Sequence, residues 1–222
     1  MYLSRLVFDP WNREARRDLA SAYELHKTLL SRGFDGVAKP DVGRVLFRVD
    51  ADPRGALPPV VLVQSDREPC WADLPAGCLL EAAECKAYDP HFGAGQRLRF
   101  RLRANPSKRV AAGNPTLGES CGGQRVGLLR EADQLRWLLG KAAGGGFVVP
   151  GAWDDGVPNF DADAQPEGRV PNGKPGFEGW FVSVRFEGHL TVTDPAAFRA
   201  LLESGVGPAK GYGFGLLSVA PA

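Results

Sequence analysis

Hydrophobic positions along this chain follow two rhythms. A period of two, the mark of a half-buried strand, is cleanest at residues 96–103. There Leu98, Phe100 and Leu102 face a core, while Arg97, Arg99, Arg101 and Arg103 face away. Short apolar runs bounded by turn residues predict further strands at residues 1–8, 44–49, 60–65, 147–149 and 214–219. A weaker strand is expected within 79–88, where Glu81-Ala82-Ala83-Glu84 interrupts the pattern. Trp180 to Glu187 and His189 to Val192 read as two strands joined at Gly188.

The second rhythm, of three and four residues, predicts helices. Ser21 with Glu24 three residues on fits a capping box, opening a helix that runs to about Ser31 and is closed by Gly33. Ala22, Leu25 and Leu29 share its core face; Tyr23, His26, Lys27 and Leu30 share the neighbouring one. Trp71 to Leu74 fits a short helix, and Trp11 to Leu19 a helical turn or an irregular connection. Leu128 to Lys141 predicts a helix that buries Leu128, Leu135, Leu138 and Leu139, keeps Trp137 on a neighbouring face and ends at Gly144. Asp194 caps another, with Pro195 in its first turn, Phe198, Leu201 and Leu202 as its apolar stripe and Gly205 as its stop.

These elements give the order strand, helix, strand, strand, helix, strand twice, which is the ferredoxin-like pattern. The expected fold is α+β: two tandem ferredoxin-like units, 1–89 and 96–222, joined by the linker that begins at Asp89-Pro90. Element order alone supports the duplication. Residues 144–179 hold nine glycines and five prolines, too many to assign regular structure there. Asp154, Asp155, Asp161, Asp163 and Glu167 make that stretch acidic against Arg169 and Lys174. Residues 110–124 are expected to form a mobile loop.

After the last helix comes a glycine loop, Gly205-Val206-Gly207-Pro208-Ala209-Lys210-Gly211-Tyr212-Gly213-Phe214-Gly215. Its order is helix, loop, strand, the reverse of dinucleotide-binding and P-loop glycine motifs. Glycines let backbone N–H groups approach a ligand, and Lys210 adds a cation, so a phosphate backbone such as RNA is the natural occupant. The plainer alternative is a flexible connection.

Charge narrows the choice. The 222 residues carry a net charge of +1, so any basic surface is local. One such region is residues 97–109, with six cations and no carboxylate. Either an anion neutralises these aligned arginines, or they pair with neighbouring strands. No apolar run spans a membrane, and the N-terminus reads as a strand rather than a signal peptide. Cys70, Cys78, Cys85 and Cys121 lack zinc-ligand spacing and are expected as reduced, partly buried thiols of a cytoplasmic protein. His26, His91 and His189 lie far apart in sequence, outside any metal motif.

Five segments together resemble one family. They are Met1-Tyr2-Leu3-Ser4, Tyr23-Glu24-Leu25-His26, Phe100 to Pro106, Phe186-Glu187-Gly188, and Gly205 through Pro221. The chain is similar along almost its whole length to the CasE family, the repeat-RNA endoribonucleases of the type I-E CRISPR surveillance complex Cascade. The resemblance implies tandem folds like RNA-recognition motifs. It also implies metal-independent cutting of precursor CRISPR RNA at the base of the repeat stem-loop, leaving a 2′,3′-cyclic phosphate and a 5′-hydroxyl. The cleaved guide would be retained as the enzyme enters Cascade. Its partners would be the repeat stem-loop and other Cascade subunits; a free monomer, no cofactor and no metal are expected.

The residues suit that chemistry. RNA supplies its own nucleophile, the 2′-hydroxyl, so the protein must move protons, align the attack and stabilise phosphate charge. His26 is the candidate general base or acid, and the positive end of its helix favours neutral imidazole and bound phosphate. Tyr23 can orient the hydroxyl or donate to a phosphate oxygen, and Lys27 can contact the phosphate. Many family members have another basic residue about a turn after the histidine. Here Leu30 and Ser31 occupy that neighbourhood, and Arg32 is the nearest cation. The family also sends a basic hairpin into the RNA stem, whereas the corresponding stretch here is acidic. The candidate RNA contacts are Lys27, Arg32, Arg101, Arg103, Lys108, Arg109, Arg125, Arg130, Arg169, Lys174, Gly207, Lys210, Gly211 and Gly213. The competing readings are a non-catalytic subunit that caps a guide RNA and a nucleotide-binding regulatory domain.

Overall fold

The computed structural model describes residues 1–52, 54–110, 125–176 and 178–222. The predicted loop at 110–124 lies outside them apart from Val110, as does Cys121. The fold is α+β.

In the first half, β1 (Tyr2–Val7) leads through α1 (Arg13–Ala20), α2 (Ala22–Gly33) and the short α3 (Lys39–Val42) to β2 (Val45–Asp50). Then come β3 (Val60–Ser65), a 3-10 turn at Trp71–Asp73, and β4 (Glu84–Ala87). These strands form an antiparallel sheet in the order β2-β3-β1-β4. Its core packs Leu25 and Leu29 of α2 against Leu6, Phe47, Val61, Val63 and Trp71. Asn12 caps α1 through Oδ1, which accepts from the backbone N–H groups of Glu14 and Ala15. The sequence left this segment open because α1 buries only Ala15 and Asp18, too little for an apolar stripe. Ser21 caps α2 by accepting from Glu24 N–H, while Glu24 turns instead towards Lys27. Gly33 is the last residue of α2, and Trp71 leaves no room there for a side chain: a Cβ would sit 2.5 Å from the indole.

The second half begins with β5 (Arg97–Ala104), then β6 (Ser107–Arg109), β7 (Arg125–Gly127) and α4 (Glu131–Gly144). It continues through β8 (Phe147–Val148), β9 (Gly151–Asp154), β10 (Val157–Phe160), β11 (Ala162–Pro171) and β12 (Trp180–Val192). It closes with α5 (Pro195–Ser204) and β13 (Leu217–Pro221). Strand order is β11-β12-β5-β13, with β8 on the far end of β12. Helix α4, through Leu135, Leu138 and Ala142, and α5, through Phe198, pack on Leu98, Phe100, Leu102, Val184, Phe186 and Leu190.

Four expectations change. Residues 144–179 are not irregular: β9 and β10 form a hairpin, and β11 pairs along β12 with a register shift between Pro166 and Gly168. Proline and glycine hid these strands because β11 is mostly exposed, so burial gives it little alternation to read. Gly188 does not divide two strands but lies inside β12, where a Cβ would meet the Asp161 carbonyl oxygen at 2.1 Å. Helix α4 starts at Glu131, because Leu128 N–H bonds back to the Pro106 carbonyl. The final strand starts at Leu217; Phe214, Gly215 and Leu216 are buried loop residues.

The arginines of β5 resolve in favour of pairing. Arg97 meets Asp161 at 2.9 Å, Arg101 meets Glu187, and Arg103 meets Glu167 at 2.7 Å. Arg99 donates to the Pro221 carbonyl at 3.3 Å. Three of the four β5 arginines are therefore paired, two with the acidic stretch from Asp161 to Glu167 and one with Glu187 of β12.

Polar side chains join the halves. Gln64 donates to the Leu202 carbonyl at 2.9 Å. Arg48, 2% exposed, forks onto Asp50 at 2.8 and 2.9 Å. Its remaining nitrogen donates to Ser218 Oγ at 2.9 Å and to the Arg101 carbonyl at 3.3 Å. Removing one partner of a buried ionic network strands the others. Arg48→Met is expected to lower unfolding free energy by about 2–4 kcal/mol, read as a lower urea midpoint at unchanged slope. An unchanged midpoint would refute that role.

Candidate active site

Helix α2 sets one wall of the site. Leu25 and Leu29 are held in the core, which turns Tyr23, His26, Lys27 and Leu30 towards a cleft of about 680 Å³. Phe34 and Val37 extend its apolar floor, Arg44 and Gly43 line it from the start of β2, and Lys210 and Gly211 line it from the glycine loop. Asp35 is the acidic residue on its wall.

The imidazole of His26 stacks on Phe47, with ring centroids 5.8 Å apart and an interplanar angle of 15°. Its Nδ1 is buried without a hydrogen-bond partner. Stacking, not a hydrogen bond, therefore holds the ring. Burial lowers its pKa from the ordinary 6.5, because imidazolium would carry charge and an unmet donor into an apolar setting. The expected preference for neutral imidazole thus has burial as its cause.

The glycine loop is neither a free tether nor an open phosphate cradle. Its middle forms a 3-10 turn at Lys210–Tyr212. Its glycines allow close packing on protein: a Cβ at Gly205 would sit 2.8 Å from Leu46, one at Gly207 2.7 Å from Trp137, and one at Gly211 3.2 Å from His26 Nε2. Gly213 is buried against Phe47 and Arg103, so it shapes the loop rather than facing a ligand. The Arg103 guanidinium lies over the Phe214 ring, 5.0 Å from its centroid.

Tyr212 anchors the loop from its other side. Its hydroxyl bonds to Asn172 Oδ1 at 2.6 Å, and its ring packs 4.7 Å from that of Phe181. Burial, and then the nearby Tyr23, push the Tyr212 phenol above its ordinary 10.0. The turn between β11 and β12 thereby reaches α2: a Cβ at Gly173 would lie 3.1 Å from Ser21 Oγ and 3.4 Å from Tyr23 Cβ.

Of the candidate residues, the fold gathers Tyr23, His26, Lys27, Lys210 and Gly211 into one cleft. Gly207 lies on the same glycine loop but packs on Trp137 outside the cleft, and Lys174 lies on the turn between β11 and β12. Arg32 is exposed and outside the cleft. Lys108, Arg109 and Arg125 are exposed on the β6–β7 ribbon, and Arg130 precedes α4. Arg101 and Arg103 are held by carboxylates. Arg169 lies flat on Trp180, 3.8 Å from its centroid. The sequence reading missed Arg44, Phe47 and Tyr212. Arg44 and Phe47 read only as parts of a strand; Tyr212 stood in plain view within the glycine motif.

Cys70 and Cys85 are exposed rather than partly buried, while Cys78 is buried. Among the described residues, no three His, Cys, Asp or Glu side chains gather as a metal site, and no helix is long and apolar enough to cross a membrane.

The fold has counterparts among known proteins. The chain is 41% identical over 226 residues to the CRISPR-associated endoribonuclease Cse3 of Thermus thermophilus, with both chains fully covered. It is 34% identical over 229 residues, again with full coverage of both, to the CRISPR system Cascade subunit CasE of Escherichia coli. Among solved structures, Thermus thermophilus Cse3 bound to an RNA representing a pre-cleavage complex superposes with a TM-score of 0.83 at 38% identity. That match covers 99% of this chain and 98% of the other. The model of the CRISPR associated protein family matches residues 1–221, and the chain belongs to that family.

Proposed function

We propose that this protein is the CRISPR endoribonuclease subunit of a Cascade complex, cutting precursor CRISPR RNA at the base of the repeat stem-loop and keeping the mature guide. The observation that carries this reading is a coincidence of two kinds of finding. A full-length relative is named as an endoribonuclease, and the cleft here holds a neutral histidine beside unpaired cations. Residues 1–89 form the unit that carries α2, and residues 96–222 the unit that carries the glycine loop.

In the reaction, neutral His26 takes the proton of the 2′-hydroxyl, whose oxygen attacks the adjacent phosphorus. The P–O5′ bond breaks, giving a 2′,3′-cyclic phosphate and a 5′-hydroxyl once the leaving oxygen is protonated. Because the nucleophile belongs to the substrate, no metal-bound water is needed. Tyr23, one turn before His26, orients the hydroxyl or donates to a phosphate oxygen. Lys27 and Lys210 supply positive charge beside the phosphate. The RNA stem lies against the exposed cations of the second half: Lys108, Arg109, Arg125, Arg130, Arg169 and Lys174. Arg101 and Arg103, committed to Glu187 and Glu167, hold the sheet instead.

The first test incubates the repeat hairpin with protein in EDTA. Wild type is expected to cut once at the stem base, and His26→Ala to bind the hairpin with cleavage reduced at least about 100-fold. Binding without cleavage by the wild type would make the protein a guide-RNA cap; equal cutting by both would remove His26 from the site.

The second test follows pH. With His26 lowered from 6.5, the base form persists below that value, so the acid limb of kcat/KM is expected to have its midpoint below pH 6.5. The same shift acts on stability. The unfolded chain binds its proton at higher pH than the folded one, so stability present above pH 6.5 is lost as pH falls towards the folded pKa. Acidification should therefore lower the melting temperature of the wild type more than that of His26→Leu. A midpoint at or above 6.5 would contradict a buried base.

A further inference from the structure

Among the described residues, nine of the twenty arginines are paired with carboxylates. Arg5, Arg17, Arg48, Arg97, Arg101 and Arg103 all lie within ion-pair distance of carboxylates. Arg136, Arg185 and Arg199 do as well. Arg44, on the cleft, is not one of them. Among the described residues, the side chains of Arg44 and Lys210 have neither an ion pair nor a hydrogen bond. They line the same wall region, and Lys141 adds a third positive charge behind Lys210. Burial first, then Arg44 and Lys141, pull the Lys210 ammonium below its ordinary 10.5. Asp35 lines the same cleft but pairs with neither, so Arg44 and Lys210 repel each other and are stabilised by an anion that enters between them.

Asp35, Asp66 and Glu203 line the cavities that Arg44 borders, and none forms an ion pair with its guanidinium. Asp66 Oδ2 accepts from the backbone N–H of Arg44 itself at 2.6 Å, and Glu203 pairs with Arg199 at 3.0 Å. The guanidinium is exposed at the first turn out of Gly43, on the ridge that borders the cleft. Helix α2, by contrast, offers Leu30 and Ser31 in the turn after His26.

We infer that Arg44, delivered from the start of β2 rather than from α2, binds the scissile phosphate and stabilises the negative charge that develops on it during attack. This rests on the endoribonuclease reading. A guanidinium fork meets two phosphate oxygens at once, which suits a phosphorus gaining charge on its equatorial oxygens. Lys210 shares the same anion from the glycine loop. Attack by the 2′-oxygen and departure of the 5′-oxygen proceed as above; Arg44 exchanges no proton.

The test compares wild type, Arg44→Gln, Arg44→Lys and the double variant Arg44→Gln with Ser31→Lys on the repeat hairpin RNA. Single-turnover cleavage is measured alongside affinity for the same hairpin carrying a 2′-deoxynucleotide at the cut. Asp66 is held by the Arg44 backbone, so the local turn survives side-chain replacement. Melting curves confirm folding, and Arg44→Lys gives a second variant in which charge is kept.

Arg44→Gln is expected to cut about 100-fold more slowly or worse, with affinity changed less than about threefold. Arg44→Lys should keep part of the rate. Ser31→Lys, which brings a cation into the same cleft from α2, should restore at least about tenfold. Cleavage by Arg44→Gln within about threefold of wild type overturns the inference while leaving the endoribonuclease intact. So does a loss of cleavage matched by an equal loss of affinity, which would make Arg44 an anchor for RNA only. A wild type that never cuts removes both readings.

Discussion

Everything at the cleft depends on how closely the loop from Gly205 to Gly215 lies against the first half. Leu46, Phe47 and His26 come from β2 and α2, and each meets a loop position where a Cβ would intrude. Only glycine backbone lets the loop lie this near, and that nearness places Lys210 beside His26. Tyr212, bonded to Asn172 and packed on Phe181, fixes the loop from behind. The cleft is therefore a seam. The first half contributes Tyr23, His26, Lys27 and Arg44 and the second Lys210 and Gly211, and Arg48 and Gln64 bridge the two.

The charge pattern follows the same logic. Four arginines on one strand invite the idea of an RNA track, yet Arg97, Arg101 and Arg103 pair with Asp161, Glu187 and Glu167, and Arg99 bonds to the Pro221 carbonyl. An exposed ion pair contributes little to stability. What the pairing does is remove these charges from competition. Among the cations without an ion pair are Arg44 and Lys210 at the cleft and Lys108, Arg109 and Arg125 on the exposed ribbon.

The strands of each core, the helices α2 and α5 and their caps were legible because burial writes a clear period into sequence. Leu98, Phe100 and Leu102 could face only one way. Helix α1 and strand β11 were harder: one buries only Ala15 and Asp18, the other is exposed along most of its length, so neither carries an apolar signal. Gly188 and the loop glycines were visible as residues but not as contacts, since their reason is a neighbour far away in sequence. For the same reason Tyr23, His26 and Lys27 could be picked from one helix face, whereas Arg44 could not. Its place in the cleft exists only after β2 has paired with β3 and the glycine loop has closed over both. The ion pairs of Arg101 and Arg103 are likewise tertiary facts, and the sequence alone left their anion open.

The central claim is that the substrate's own 2′-hydroxyl, activated in this seam, breaks the RNA. It is tested most directly by replacing that single hydroxyl with hydrogen in the repeat hairpin and analysing the ends of the unmodified product. The account predicts tight binding of the deoxy hairpin with no cleavage, and a 2′,3′-cyclic phosphate with a 5′-hydroxyl from the unmodified one. Cleavage of the deoxy hairpin, or a product with a 5′-phosphate, would mean that water is the nucleophile and that the chemistry assigned to His26 is wrong.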